Sequence, residues 1–279
     1  MKFLVPTDFS NNAFHAALYA VTLAQAKPGS SIHLVHVLNP FLYDPVGLRD
    51  IEEVAIKSLE KINRQLKIRC DVCSITHSVE IGETVAEINK TAKALNPGVI
   101  VMGVEDASKA RRFLFGSNTL SLIRQATCPV LVIPEAVLFA PPKRIVFATD
   151  YYDSDMEALQ QLVPIAFAFQ SEIIMVHIFD EQEEEQLELI MIDFISNAIS
   201  KTVEYPRLTY RVHYNKSKTE GIKHFCKLME ADLVALSARK QNVFQKLFRK
   251  SVTKDITYDS EIPLLVFHVH KTNEPISEL

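Results

Sequence analysis

The sequence predicts an α/β protein made of two tandem, doubly wound domains, each with a five-stranded parallel sheet. Two observations carry this. First, three short motifs recur in the same order. KFLVPTDFS at 2–10 returns as RIVFATDYY at 144–152, with Asp8 answered by Asp150. IHLVHVLNP at 32–40 returns as IIMVHIFDE at 173–181, with His36 answered by His177. CPVLVIP at 128–134 returns as IPLLVFH at 262–268, with Pro129 answered by Pro263. The offset falls from 142 to 134 residues, so the second copy is slightly shorter in its middle. Second, short apolar β-branched runs alternate with helical patterns in each copy, the signature of parallel strands joined by crossover helices.

Taken in order, the first copy reads as strands at 3–5, 32–37, 70–75, 99–102 and 130–133. The helices between them fall at 12–25, 51–66, 84–95 and 119–125. The stretch 135–143, EAVLFAPPK, is the linker, because Pro141-Pro142 stops any helix. The domains are therefore 1–136 and 143–271. In a doubly wound sheet the ligand crevice lies at the carboxyl ends of the strands, where the winding reverses, and Asp8 and Gly103 both stand at such ends. Asp8 reads equally well as a turn or capping residue before the first helix, beside Ser10 and Asn11, or as a ligand contact. His36 and His177 read as packed, hydrogen-bonded residues. Cys70 and Cys73 form a CxxC inside the predicted third strand, where a spacing of three puts them on opposite faces; two reduced, mostly buried thiols are expected. The acidic run at 181–186 is expected to open a long helix, favoured by its dipole.

The most informative stretch is 99–134, VIVMGVEDASKARRFLFGSNTLSLIRQATCPVLVIP. A buried strand ends at Met102-Gly103, a basic loop follows, and Ser117 or Asn118 can cap the next helix. Strand, loop and helix start together favour an anion, through free backbone N–H groups and the helix dipole. The chain has only 7 glycines, and Gly103 and Gly116 bracket this one loop. Glycine is used where the backbone needs φ > 0 or close approach.

This spacing resembles the nucleotide loop of universal stress proteins: glycine, two residues, glycine, nine residues, glycine, then Ser or Thr. Gly103, Asp106, Gly116 and Ser117 take those positions, and CPVLVIP closes the loop as in the family. The match departs at Asp106, where a carboxylate would repel phosphates unless a cation lay between them. The resemblance covers nearly the whole chain as a tandem pair. It implies a fold like the adenine nucleotide alpha hydrolases, Rossmann-like, with the two halves packed as an intrachain pseudo-dimer in the place of two single-domain chains. It also implies an adenine nucleotide, ATP or AMP with or without Mg²⁺, held by Pro6, Thr7, Asp8, Val37, Met102, Gly103, Asp106, Gly116, Ser117 and Asn118. Lys109, Arg111 and Arg112 either neutralise the phosphates or face water. In the second copy Ser237, Lys240, Lys250 and Ser251 stand at the loop positions, so all three glycines are gone and the nucleotide mode is expected to be lost. Arg239, Lys240, Lys246, Arg249, Lys250 and Lys254 make that loop basic, either simply solvated or a contact for anions.

Composition narrows the function. Apolar residues are 48% of the 279 and the net charge is −4, which argues for a large core and against nucleic acid as partner. There is no run of 18 apolar residues and no leader pattern, so a cytoplasmic protein without a membrane span is expected. The chain lacks GxxxxGK[ST], GxGxxG after the first strand, GxSxG and HExxH, and His268 with His270 has no evident third metal ligand. Catalysis is not expected, although slow ATP hydrolysis stays open. The leading expectation is a stress-response regulatory module that binds an adenine nucleotide in its first domain. The alternative is an interaction or scaffold protein of the same fold, in which Asp106 and the basic second loop have replaced nucleotide binding. A homodimer is compatible with either.

Overall fold

β-Branched and aliphatic runs one strand long, each closed by a turn or helix cap, become the strands. The computed structural model describes residues 1–42, 44–104, 117–135, 137, 139–150, 153–180, 203–237 and 262–268. The chain divides into two compact units, one built on Met1–Pro141 and one that begins at Pro142.

The first unit contains strands β1 (Lys2–Pro6), β2 (Ser31–Leu38), β3 (Ser74–Ile81), β4 (Val99–Gly103) and β5 (Val130–Ile133). They lie in the order β3-β2-β1-β4-β5, every pair parallel. Helices α1 (Asn11–Ala26), α2 (Pro45–Lys67), α3 (Thr84–Leu95) and α4 (Ser117–Gln125) connect them. Phe3, Leu4 and Val5 are fully buried, as are Ile100 and Val101 beside them. Each such side chain contributes about 1.5–3 kcal/mol on burial. Ala16, Ala17, Ala20 and Ala24 line the buried side of α1, and small residues let a helix lie close to a sheet.

The strand expected at 70–75 starts later, at Ser74, and runs to Ile81 in an eight-residue ladder with β2. Cys70 is not available to a strand because its N–H still bonds the Leu66 carbonyl at 3.0 Å, closing the end of α2. Cys70 and Cys73 therefore sit in the turn, joined by a disulfide with S–S 2.24 Å, and the expectation of two free thiols is corrected. Helix α2 also starts six residues earlier than its apolar period suggests. Asp44 caps it, accepting from Val46 N at 3.1 Å and Gly47 N at 2.7 Å, and Pro45 occupies the first helical position. Likewise α4 includes Ser117 and Asn118 as its first two residues, where a cap was expected.

The second unit repeats the plan with β6 (Arg144–Ala148), β7 (Glu172–Phe179), β8 (Leu208–Tyr214), β9 (Leu233–Ser237) and β10 (Leu264–Phe267). Their order is β10-β9-β6-β7-β8, again all parallel. Its described helices are α5 (Asp153–Phe169) and α6 (Lys218–Leu228), the latter capped by Ser217. In each unit the first strand lies between the second and the fourth, so the winding reverses there. The crevice is at the carboxyl ends of β1 and β4 in one unit and of β6 and β9 in the other. Among the described residues no helix is long and apolar enough to cross a membrane.

Candidate functional site

The turn leaving β1 is built almost entirely from its own hydrogen bonds. Buried Thr7 accepts from Phe9 N at its Oγ1, 3.1 Å, and its N–H bonds the Val35 carbonyl at 2.9 Å. Phe9 takes φ +67°, unusual for a side chain with a Cβ, and its ring lies 4.3 Å from that of His36. His36 Nδ1 is 2.7 Å from the Thr7 carbonyl oxygen. A carbonyl can only accept, so Nδ1 carries the proton and the tautomer is fixed. Exposed Asp8 accepts from Ser10 N at Oδ1, 2.9 Å, which leaves Oδ2 without a protein partner among the described residues. Ser10 then caps α1 by accepting from Ala13 N at 3.2 Å.

Across the crevice, β4 ends at Gly103, and the reason for glycine there is the first turn of α1. A Cβ on Gly103 would stand 2.1 Å from Asn12 O and 2.5 Å from Asn12 C, both backbone atoms. Close approach to the helix, not a positive φ, requires the glycine.

The second unit solves the same corner with side chains. His177 Nδ1 bonds the Thr149 carbonyl at 3.0 Å, the counterpart of His36 and Thr7. Ser237 stands at the end of β9, where the other unit has Gly103. Its Oγ donates to Asp155 Oδ1 at 2.9 Å. Asp155 Oδ2 accepts from Thr149 Oγ1 at 3.0 Å and from Asp150 N at 2.8 Å. Asp155 is 1% exposed and Ser237 2%. A carboxylate so buried is tolerable only because three donors satisfy it. Asp150 itself lies 3.7 Å from Lys218 Nζ and 3.7 Å from His177 Nδ1.

The model of the universal stress protein family matches this chain twice, over residues 1–134 and 141–268. The chain belongs to the universal stress protein family. A universal stress protein of Methanocaldococcus jannaschii is 27% identical over 143 residues, which is 47% of this chain and 81% of that one. Among solved structures, a universal stress protein from Archaeoglobus fulgidus aligns with TM-score 0.73 at 17% identity, covering 96% of this chain and 98% of its own. A putative universal stress protein from Pseudomonas aeruginosa aligns with TM-score 0.59 at 14% identity, covering 96% and 93%. At these identities the two structures speak for the fold alone.

Within this universal stress protein, Pro6, Thr7, Asp8, Val37, Met102 and Gly103 lie at the carboxyl ends of three adjacent strands. Val37 is half-buried and Met102 buried. Ser117 opens α4, and Asn118, beside it, is exposed. Asp106, Lys109, Arg111, Arg112 and Gly116 lie outside the described residues, as do Lys240, Lys250 and Ser251, the basic loop around them and the acidic run at 181–186. For Asp8 the turn role is present in the Ser10 hydrogen bond, and it uses only one of the two carboxylate oxygens. The residue that the sequence reading missed is Asp155. With the offset of 142 it answers Ala13, so a carboxylate replaces a small apolar residue on the sheet-facing side of a helix. That substitution is a visible signal once the helices, and not only the strands, of the two copies are aligned.

Proposed function

We propose that this universal stress protein is a cytoplasmic regulatory module that binds an adenine nucleotide, ATP or AMP, in its first domain and acts by binding rather than catalysis. The observation that carries the reading is the contrast between the two crevices. In the first, Asp8 keeps Oδ2 open on an exposed turn, while in the second a buried Asp155 with three hydrogen bonds fills the corresponding corner. In this reading Asp8 Oδ2 accepts from a ribose hydroxyl or the adenine amino group. Val37 and Met102 offer apolar contact to the base. Gly116, Ser117 and Asn118 meet the phosphates at the start of α4, with Lys109, Arg111 and Arg112, or a Mg²⁺ ion, offsetting Asp106. The test is calorimetry with ATP and AMP, with and without Mg²⁺, on wild type and Asp8→Asn. The Asn keeps an acceptor for Ser10 N but puts an amide donor where Oδ2 was. Saturable binding at one site per chain, weakened about tenfold or more in Asp8→Asn, is the expected result. No binding by ligand-stripped wild type removes the reading.

A second reading, a scaffold or interaction protein without a nucleotide, is favoured by Asp106 itself, which stands where the family's loop has glycine. Binding by Asp106→Gly but not by wild type would support it, since the carboxylate would then have closed an inherited pocket.

A further inference from the structure

At the opposite end of the second sheet, where its strands begin, lies a cleft of ≈ 530 Å³ lined by Lys143, Arg144, Phe169, Gln170, Glu172 and Arg207. Its volume falls within the range of small-molecule sites. We propose that this cleft binds a small phosphorylated polyol or sugar, with the phosphate on Lys143 and Arg207, hydroxyl groups on Glu172 and the carbon skeleton against Phe169.

The charge balance motivates the anion. The lining holds three cations and one carboxylate. Arg144 is already committed, donating to the Met229 carbonyl at 2.7 Å and to Glu230 Oε2 at 2.8 Å. Arg207 uses Nη1 on the Gln170 carbonyl and keeps its other N–H groups. Among the described residues neither Lys143 nor Arg207 has a carboxylate within ion-pair distance, although Glu172 lines the same cleft. Two cations without a direct ion pair among the described residues, in a concavity with an aromatic wall, suit a phosphate. Glu172 accepts only a weak bond from Thr209 Oγ1, 3.4 Å, so its oxygens remain available to hydroxyl donors.

The frame is rigid before any ligand arrives. Lys143 N and Arg144 N both donate to Asp232 Oδ2, at 2.9 and 2.8 Å. Glu172 N bonds the Lys143 carbonyl at 2.7 Å, Ile173 N bonds the Arg207 carbonyl at 2.9 Å, and Ser171 Oγ bonds the Pro142 carbonyl at 2.6 Å. A fixed backbone lowers the ordering cost of binding. Among the described residues the first domain has no such set. The ladders put Ser31 where Glu172 stands and Ser74 where Arg207 stands, while Lys2, at the place of Arg144, bonds the Leu95 carbonyl at 2.5 Å. The lining is thus particular to the second copy, and the proposal is independent of the nucleotide reading for the first.

The test is titration of the full chain with glycerol phosphate, followed by NMR, with inorganic phosphate and glycerol as companion probes. Expected are saturable binding of glycerol phosphate, weaker binding of inorganic phosphate and none of glycerol. Arg207→Gln should weaken glycerol phosphate about tenfold or more, the value of one charge-assisted hydrogen bond. Lys143→Gln, at an exposed side chain with no hydrogen bond or ion pair among the described residues, should weaken it severalfold with an unchanged melting temperature. The first-domain control Lys27→Gln should leave it unchanged. No saturation below about 10 mM, equal affinity for inorganic phosphate, or binding indifferent to both Arg207→Gln and Lys143→Gln would overturn the proposal.

Discussion

Replacing Gly103 by Ala separates a packing role from a ligand role. The added Cβ would lie 2.1 Å from Asn12 O, 2.5 Å from Asn12 C and 3.2 Å from Ala13 N. An ordinary carbon–oxygen contact is about 3.3 Å or more, so something must move by roughly 1 Å. The obstacle is helix backbone held by the Ser10 cap, with no flexible side chain to swing aside. Overpacking costs about 1–3 kcal/mol, and a backbone obstacle puts Gly103→Ala near 2–3 kcal/mol. Urea unfolding of the nucleotide-free protein, followed by circular dichroism, measures it. Gly29→Ala is the matched control. Gly29 has φ +77° with nothing within 4 Å of a Cβ, so only its conformation is penalised, by about 1 kcal/mol. If Gly103→Ala stays within about 0.5 kcal/mol of wild type, the packing argument is wrong and the glycine must be explained by a ligand instead.

Asp155→Ala should cost about 3 kcal/mol in urea unfolding, because it removes a buried carboxylate that accepts from Thr149 Oγ1, Asp150 N and Ser237 Oγ. Asp155→Asn, which keeps one acceptor, should cost less; equal effects would mean the hydrogen bonds are not the reason. Thiol titration of the unfolded chain should find two reactive groups without reductant, Cys128 and Cys226, and four after reduction. Four without reductant would contradict the Cys70–Cys73 bridge. In the folded protein burial pushes the Cys128 thiol up to about 11 and the Cys226 thiol up to about 12, so neither should alkylate at neutral pH. Burial also holds His15, His33 and His213 below the ordinary imidazole value, with His224 adding to the effect at His213 and the Glu135 and Glu80 carboxylates opposing it at His15 and His33. The unfolded chain then binds more protons, so their stabilising contribution is complete above about pH 6.5 and is lost as the pH falls through the folded-state values. The urea midpoint should drop between about pH 7 and pH 5.5, and less so in His33→Gln; a flat profile would refute the assignment.

Strand ends were legible where sequence and ladder agree. β5 begins and ends as the apolar run does, β4 is one residue longer at its end, and β1 and β2 are one residue longer at each end. β3 was misplaced because IRCDVCSIT alternates like a strand, while the end of α2 reaches forward and keeps Cys70 N on the Leu66 carbonyl. Alternation records which faces can be buried but not where a preceding helix lets go. The start of α2 was missed for a related reason. Its first turns carry Val46 at 72% exposure, outside any apolar period, and the Asp44-Pro45 cap was the usable signal. At the crevice, the residue types at the ends of β1 and β4 could be read from the repeat. The reason for Gly103 could not, because its neighbour in space is 91 positions away on another element.

The two copies show which parts of that corner the fold itself needs. The histidine of the second strand bonds the carbonyl of the threonine after the first strand in both, His36 to Thr7 and His177 to Thr149. That bond gives the carbonyl of the turn a donor, and neither copy dispenses with it. The end of the fourth strand, by contrast, takes two forms. With glycine, the helix backbone closes on the strand directly, and the carboxylate of the turn, Asp8, is exposed, with one oxygen that has no partner among the described residues. With Ser237, a side chain enters the corner, and burying its hydroxyl demands an acceptor. Asp155 supplies one, and burying that carboxylate in turn demands Thr149 and Asp150 N. Once the glycine is lost, each polar group calls for the next until the set is closed. A ligand reaching for Asp155 or Ser237 would compete with these intramolecular hydrogen bonds, whereas Asp8 Oδ2 has none among the described residues.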